Sequence, residues 1–285
     1  MTGAAQFPLL FSPFRLRGVE LRNRIVSAAH GTTTSERGLP TEATAAYHAA
    51  RARGGVGLII LEAASVHQTA VYNDRFLSCH TDAAVSGFGR VADEVHAHGA
   101  MIFGQLYHPG ASMRGQVEGL RLVPVGPSFI VSETGRIAAH TMSLPLVNEV
   151  IKAFGSAARR MMRAGLDGIE LNGRNGNLPA HFLNPRTNHR RDAYGGKFAN
   201  RLRFLAEILE EVRANIGDKV PLGLRISAEP MDSIGLLPDE VIEACRALAP
   251  VLDYFNVVVG SIGTYAGLSH QSPAFNIRSL AESLS

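Results

Sequence analysis

Three asparagines, Asn172, Asn175 and Asn177, cluster where a short apolar run, Gly168–Asn172, gives way to a polar turn. Carboxamides so placed can hydrogen-bond a carbonyl and polarise it, but they have no useful pKa for moving a proton near neutrality. The same set could instead serve turn geometry, because Asn and Gly tolerate left-handed backbone in N-G-x-N-G-N. Two further polar residues interrupt runs that are otherwise apolar: Arg225 in LGLRIS and Gln105 in MIFGQLY. A guanidinium there either stabilises developing negative charge or pairs with a core carboxylate such as Glu170. An amide there either donates and accepts at a ligand edge or is a satisfied core glutamine. His30, after RIVSAA, is either a ring contact or a packed histidine. Tyr265, Tyr107 or water would supply a proton that the asparagines cannot.

These residues need strands to hold them. Apolar, β-branched runs recur between helical patterns, as in stacked βα units with a parallel sheet. The expected strands are Arg24–Ala29, Val56–Ala63, Met101–Tyr107, Gly168–Asn172, Leu222–Ser227 and Tyr254–Gly260. Several are apolar at nearly every position, which suits strands buried on both faces. Helices are expected from Thr41, an N-cap, to Gly54–Gly55, and over Ala83–His98, Val147–Ala164, Phe198–Ile216 and Pro238–Ala247. Val147, Val150, Ile151, Phe154, Ala158 and Met161 form one apolar stripe at helical spacing. FRLRGVELRN alternates about Arg17–Gly18 and reads as a hairpin. The segment from His108 to Pro145, rich in Gly, Pro and Ser, is long for a plain connection and reads as a lid over the carboxyl-terminal face.

Bulk properties narrow the class. The 285 residues are 46% hydrophobic and 19% charged, enough for one barrel domain of about 250 residues. No apolar run approaches the roughly 18 residues of a membrane span, and the amino terminus lacks the basic flank of an export signal. Cys79 and Cys245 lack metal-ligand spacing and read as buried thiols in a reducing cytoplasm. A net charge of +3 is spread over several helices, so nothing points to nucleic acid. The expected partner is a small-molecule substrate, with a homo-oligomer as a further possibility.

The run Asp167–Phe204, with FLNP, the TN–R–D–YGG pattern and the NRLRF helix start, resembles one family. It is similar to the old-yellow-enzyme-like NADH:flavin oxidoreductases, in the branch of 2,4-dienoyl-CoA reductase and trimethylamine dehydrogenase. The resemblance implies an α/β fold, the (β/α)8 TIM barrel, with a hairpin plugging its amino-terminal mouth. It implies FMN and NAD(P)H as cofactors, with hydride passing in ping-pong fashion from NAD(P)H through flavin to an activated C=C. The cofactor-binding positions it implies are Ala29, His30, Gly31, Ala63, Gln105 and Arg225. Asn172 and Asn175 would hold the substrate, and because asparagine replaces the tyrosine often used as proton donor at the third position, the proton would come from Tyr265, Tyr107 or water. Departures matter too. Gly31 stands where amine dehydrogenases have the cysteine that bonds flavin, so covalent attachment is excluded. Ala63 stands where they have a tyrosine of the cation cage. FLNP, Leu178-Pro179 and His30 lean towards an alternative, a flavin-dependent amine dehydrogenase or N-demethylase.

The strand count falls short of eight. Six are visible, and the 25 residues after Gly260 are fewer than the roughly 60 that two more βα units need. The expectation is therefore one domain over 1–285, with about six βα units and an incomplete carboxyl-terminal end. Loops that hold the flavin phosphate in this family would follow Ser285. A non-catalytic barrel fragment that does not retain flavin is the rival from another class.

Overall fold

A computed structural model describes residues 6–71, 73–113, 116–117, 120–121, 123–131, 137–228 and 236–258. The chain opens with a hairpin, β1 (Phe14–Leu16) and β2 (Val19–Leu21), paired antiparallel with Leu16 opposite Val19. Arg17 at its tip takes a positive φ of 48°, as a tight turn requires. Its guanidinium reaches Asp253 Oδ1 and the carbonyl of Asp218, which seats the hairpin at the amino-terminal mouth of the sheet.

Six parallel strands form that sheet: β3 (Val26–Ser27), β4 (Leu58–Ser65), β5 (Met101–Tyr107), β11 (Gly168–Asn172), β12 (Leu222–Ser227) and β13 (Tyr254–Val258). Their order is β13-β12-β11-β5-β4-β3, so sequential strands are neighbours throughout. Helices α1 (Glu42–Arg53), α2 (Val85–His96), α3 (Leu144–Arg163), α5 (Phe198–Ile216) and α6 (Pro238–Leu248) make the crossovers. A short α4 (Leu178–Leu183) lies in the connection after β11, and sequence periodicity alone does not reveal it. Between β5 and α3 run the short pieces β6 (Gln116–Val117), β7 (Leu120–Arg121), β8 (Val125–Gly126), β9 (Ile130–Val131) and β10 (Ile137–Thr141).

Local chemistry explains the boundaries. Thr41 caps α1 by accepting from Thr44 N–H while Thr44 Oγ1 accepts from Thr41 N–H, a reciprocal capping box. The stripe on α3 is buried at all six of its positions. Met161 from this stripe packs so closely on β5 that a Cβ at Gly104 would lie 2.1 Å from its sulfur, so the approach of helix to sheet requires glycine there. A large core fills the space between helices and sheet, and a second cluster of Leu21, Leu58, Ile60 and Phe103 fills the inner face. Both faces of the strands are therefore covered, as their apolar runs required.

Two strand expectations need correction. The first strand is only Val26–Ser27, because Arg24 N–H donates instead to the carbonyl of Leu10 and Ile25 N–H to the side chain of Asn23. The second begins at Leu58 rather than Val56, whose carbonyl is taken by Arg22, and runs on to Ser65. Between Ile60 and Ala63 its pairing with β5 slips by one residue, a bulge that alters the local aim of the strand.

The Asn188–Gly196 run is a clamp. Asn188 Nδ2 donates to the carbonyls of Phe182 and Tyr194, and Arg190 Nη1 donates to those of Pro127 and Met142. The loop after β11 thus holds the segment expected to act as a lid, and among the described residues none from His108 to Pro145 lines the cavity at the carboxyl ends of the strands.

Two stability consequences follow. Burial pulls the pKa of His48 and His181 from 6.5 down to about 4, and that of His108 to about 3. The folded chain keeps these rings neutral while the unfolded chain protonates them, so stability is complete above about pH 6.5 and falls as pH drops through 4. Glu62 and Glu170, raised by burial, act in the opposite sense. Thermal melts should therefore lose Tm steadily between pH 7 and 5; a flat profile there would mean the histidines are not held neutral. The second concerns the sheet edges. Among the described residues β3 and β13 each have one unpaired side, and a cavity of about 460 Å³ lies between them, lined mainly by apolar groups such as Phe14, Leu16 and Ile60. Open strand edges promote pairing between chains. Light scattering of the 285-residue chain should show concentration-dependent association, and a monodisperse monomer would contradict this.

Candidate active site

At the carboxyl ends of the strands a second cavity, about 300 Å³, is lined by Ala29, His30, Gly31, Ala63, Gln105 and Arg225. Phe76, Tyr107, Asn172 and Arg174 complete its wall. It is smaller than the cavity between the sheet edges but far richer in convergent donors, and parallel sheets bind ligands at this end. The structure thus brings together every expected cofactor position together with Asn172. Asn175 is not in the lining; its backbone N–H donates to Ser227 Oγ at 3.1 Å. Tyr265 lies outside the described residues.

Strand register places the polar groups. Glu170 on β11 stands opposite Gln105 on β5, and Asn172 stands opposite Arg225 on β12. Glu170 is fully buried. Its Oε1 accepts from Gln105 Nε2 at 2.5 Å, and its Oε2 from Asn256 Nδ2 at 3.0 Å and Tyr254 Oη at 3.2 Å. Burial holds its carboxyl above the usual range, and the donors from Asn256, Gln105 and Tyr254, with the Arg225 charge, pull it back. The Tyr254 ring occupies the space above Gly223, where any Cβ would lie 2.1 Å from it. Asn172 Nδ2 donates to Gln105 Oε1 at 2.9 Å, and Asn177 Nδ2 donates to Asn172 Oδ1 at 2.6 Å. Asn177 stands at the N-cap of α4, but its side chain is spent on Asn172 instead of the helix.

Arg225 does not pair with Glu170 by direct contact, the alternative its sequence setting left open. Its Nη1 donates to the carbonyl of Ala29 at 2.9 Å, and its Nε is buried without a partner among the described residues. Burial lowers its pKa, and the negative charge of Glu170 partly restores it. Arg174 feels the same desolvation, with the charge of Arg225 adding to it. His30 is tied by both ring nitrogens, Nδ1 to the carbonyl of Ala28 at 2.9 Å and Nε2 to the Tyr47 hydroxyl. It therefore lines the cavity as a fixed ring. Beside it Glu62, in the bulge of β4, accepts Thr32 N–H and is raised in pKa by burial.

Sequence reading did not place Arg174 in the lining, nor give Glu170 its contacts to Gln105, Tyr254 and Asn256. Arg174 sits in a turn, where no periodicity reports side-chain direction, and Glu170 acquires its contacts through strand register. Cys79 and Cys245 are free and buried, and no His, Cys, Asp or Glu group among the described residues could hold a metal. No described helix is long and apolar enough to cross a membrane.

A buried guanidinium nitrogen without a partner, beside amide donors and small residues, suits a polar heteroaromatic ring. Comparison with known proteins agrees. The chain is 34% identical over 273 residues to the N,N-dimethylglycine/sarcosine dehydrogenase of Chromohalobacter salexigens, covering 94% of this chain and 39% of that protein. It is 33% identical over 276 residues to the multifunctional alkene reductase/demethylase of Caballeronia cordobensis, covering 95% and 40%. It thus spans about two fifths of the length of these relatives. The structure of an old yellow enzyme homologue from Zymomonas mobilis superposes with a TM-score of 0.78 at 29% identity, over 90% of this chain and 74% of that one. Residues 9–262 match a single family, and the chain belongs to it: the NADH:flavin oxidoreductase / NADH oxidase family.

Proposed function

We propose that the 300 Å³ cavity holds the ring of FMN and that the protein containing this chain is an FMN-dependent oxidoreductase. Its reductant would be NAD(P)H and its acceptor a small molecule with an activated C=C. The observation that carries this reading is the buried, unpartnered Nε of Arg225 at a cavity with no carboxylate in its described lining. FMN, when bound, supplies two-electron hydride chemistry that no side chain offers. The chain's own residues would set the conditions for it. Arg225 stabilises negative charge on the ring, and the free N–H of Gln105 meets an acceptor on its edge. Small residues at Ala29, Gly31 and Ala63 let backbone approach a flat ligand. Asn172 donates to a substrate oxygen and polarises the bond beside it, while Tyr107 is the lining phenol able to deliver a proton.

A second reading has an observation of its own. All three turn positions are asparagine, so the turn itself offers no proton donor. Reduction of C=C consumes a proton, whereas dehydrogenation of an N-methyl amine releases one. N-demethylation therefore stands beside alkene reduction, as it does in the name of the relative from Caballeronia cordobensis. A cytoplasmic enzyme acting on small molecules rather than nucleic acid fits either reading.

The described lining provides contacts to a ring but no phosphate loop. With the ring contacts of the described lining carrying the binding, riboflavin should bind the 285-residue chain about as well as FMN does. Fluorescence titration reads this directly. FMN binding far more tightly than riboflavin would contradict it, and no binding of either would favour a barrel fragment without flavin.

Two substitutions separate the proposed roles. Arg225→Ala should slow reduction of bound flavin by NAD(P)H, with a loss of about 2.7–4 kcal/mol of charge stabilisation. Asn172→Ala should leave that half-reaction intact and weaken substrate binding. Stopped-flow absorbance at the flavin band distinguishes them. Parental reduction in Arg225→Ala would reject the charge assignment, and unchanged substrate affinity in Asn172→Ala would leave the asparagines as turn geometry.

A further inference from the structure

Beside the cavity, the ends of β4 and β5 carry a line of hydrogen bonds whose direction two backbone groups dictate. Ser65 pairs with Tyr107, so His67 and His108 follow just beyond the last paired residues of neighbouring strands. A backbone N–H can only donate. That of Gly110 meets His108 Nδ1 at 3.0 Å, and that of Thr69 meets His67 Nδ1 at 3.3 Å. In each neutral ring Nδ1 is therefore the bare nitrogen and Nε2 carries the proton. His108 Nε2–H then donates to Thr69 Oγ1 at 3.0 Å, and the Thr69 hydroxyl donates to His67 Nδ1 at 2.8 Å. His67 Nε2–H donates to Glu149 Oε1 at 3.1 Å. Turning either ring over would set one N–H against another.

The line ends at a short turn, Gly110–Ser112, through which the chain leaves β5. A second imidazole grips the same turn: His181 of α4 accepts Ala111 N–H through Nδ1 at 3.4 Å. Burial keeps His108 and His181 neutral, and only a neutral ring can accept through nitrogen. The fit is close. Gly110 has a φ of 57°, and a Cβ there would lie 2.8 Å from His181 Nδ1 and 3.0 Å from Leu178 Cα. Leu178 N–H in turn donates to the carbonyl of His108 at 2.9 Å. His108 thus binds the turn with its ring and the start of α4 with its carbonyl, and it directly follows Tyr107 of the cavity wall. At the other end, the Glu149 side chain on α3 is 59% exposed, whereas that of His67 is 8% exposed.

We propose that Thr69, held by His67 and Glu149, is a positioning residue for the cavity mouth. Its hydroxyl fixes the tautomer and direction of the His108 ring, and that ring fixes the turn next to Tyr107. The role given to Tyr107 rests on the cavity being the flavin site; the relay itself does not. A phenol that delivers a proton must stay within hydrogen-bond reach of its acceptor, and Thr69 serves this without touching the ligand. A carboxylate suits the outer end of the line, because a charged acceptor holds an N–H more strongly than a neutral one does.

Nitrogen-15 NMR of the histidine side chains in the full chain at neutral pH reads the tautomers, with His67→Gln and His108→Gln to assign them. Both rings should carry the proton on Nε2. Thr69→Val keeps the side-chain shape and removes the hydroxyl, so His108 should lose its single tautomer. The amides of Gly110 and Ala111 should then exchange with solvent about tenfold faster, as for one lost hydrogen bond, while those of α5 stay unchanged. Thr69→Ser should restore both readouts. Should Thr69→Val not fold, the surface pair decides: Glu149→Ala should speed the same two amides, and Glu149→Gln, whose oxygen still accepts, should not. A proton on Nδ1 of His108 in the parental chain would overturn the proposal, as would unchanged exchange at Gly110 in Thr69→Val or equal acceleration of every amide. With saturating FMN, the Tyr107 ring carbons, assigned with Tyr107→Phe, should shift, and that shift should change in Thr69→Val but not in Thr69→Ser. An identical shift in Thr69→Val would remove Thr69 from the positioning of Tyr107. No shift in the parental chain would reject the flavin reading, and the tautomers measured without FMN still decide the relay.

Discussion

A carboxylate with no exposure to water sits on the middle of a parallel sheet, and the geometry of the cavity depends on keeping it satisfied. Burying Glu170 costs several kcal/mol unless donors replace the lost water. Three do so, and they come from two strands: Gln105 from β5, and Tyr254 and Asn256 from β13. β13 is not a neighbour of β11 in the sheet, so these contacts reach across β12. Curvature makes that reach possible, and Gly223 on β12 leaves the space through which Tyr254 passes. Glu170 thereby couples the curl of the sheet to the orientation of an amide at its carboxyl end.

Arg225 makes a second connection of the same kind. It stands on β12, yet it donates to the carbonyl of Ala29, just after β3 at the opposite edge of the sheet. One side chain thus joins β12, next to one edge, to the chain leaving the other edge across the mouth, and its Nε is buried without a partner among the described residues. Ala63 reaches the same space because β4 bulges after Ile60. Two of its walls are therefore traceable to a polar residue inside an apolar strand and to a backbone irregularity. Such departures from local regularity are where functional constraint is expected to show.

Much of this was legible in the sequence. Arg225 and Gln105 stand out because polar groups in doubly buried strands need a reason, and both line the cavity. The strands Met101–Tyr107, Gly168–Asn172 and Leu222–Ser227 lie where their apolar runs place them, since burial on both faces leaves a strong signal. Strand ends were less legible. Arg24 and Val56 look like strand residues, but Leu10 and Arg22, distant in sequence or reached through a side chain, take their hydrogen-bonding groups. Glu170 could be named only as a possible partner for Arg225. That it binds Gln105 follows from the register of β11 on β5, which no local pattern encodes. Arg174 escaped notice because a turn residue has no period to betray its direction.

The orientation of both amides, Gln105 and Asn172, depends on Glu170 being ionised, since a protonated carboxyl could donate and release them from their fixed direction. Burial raises its pKa and outweighs the three donors and Arg225, which lower it, so the carboxylate is held only if that rise stops short of neutral pH. Carbon-13 NMR of side-chain carboxyls in glutamate-labelled protein, with Glu170→Gln to assign the signal, measures that state directly. A carboxylate shift for Glu170 at pH 7 that changes only in the acid range is the expected result. A protonated shift at pH 7 would contradict the donor polarity of the cavity.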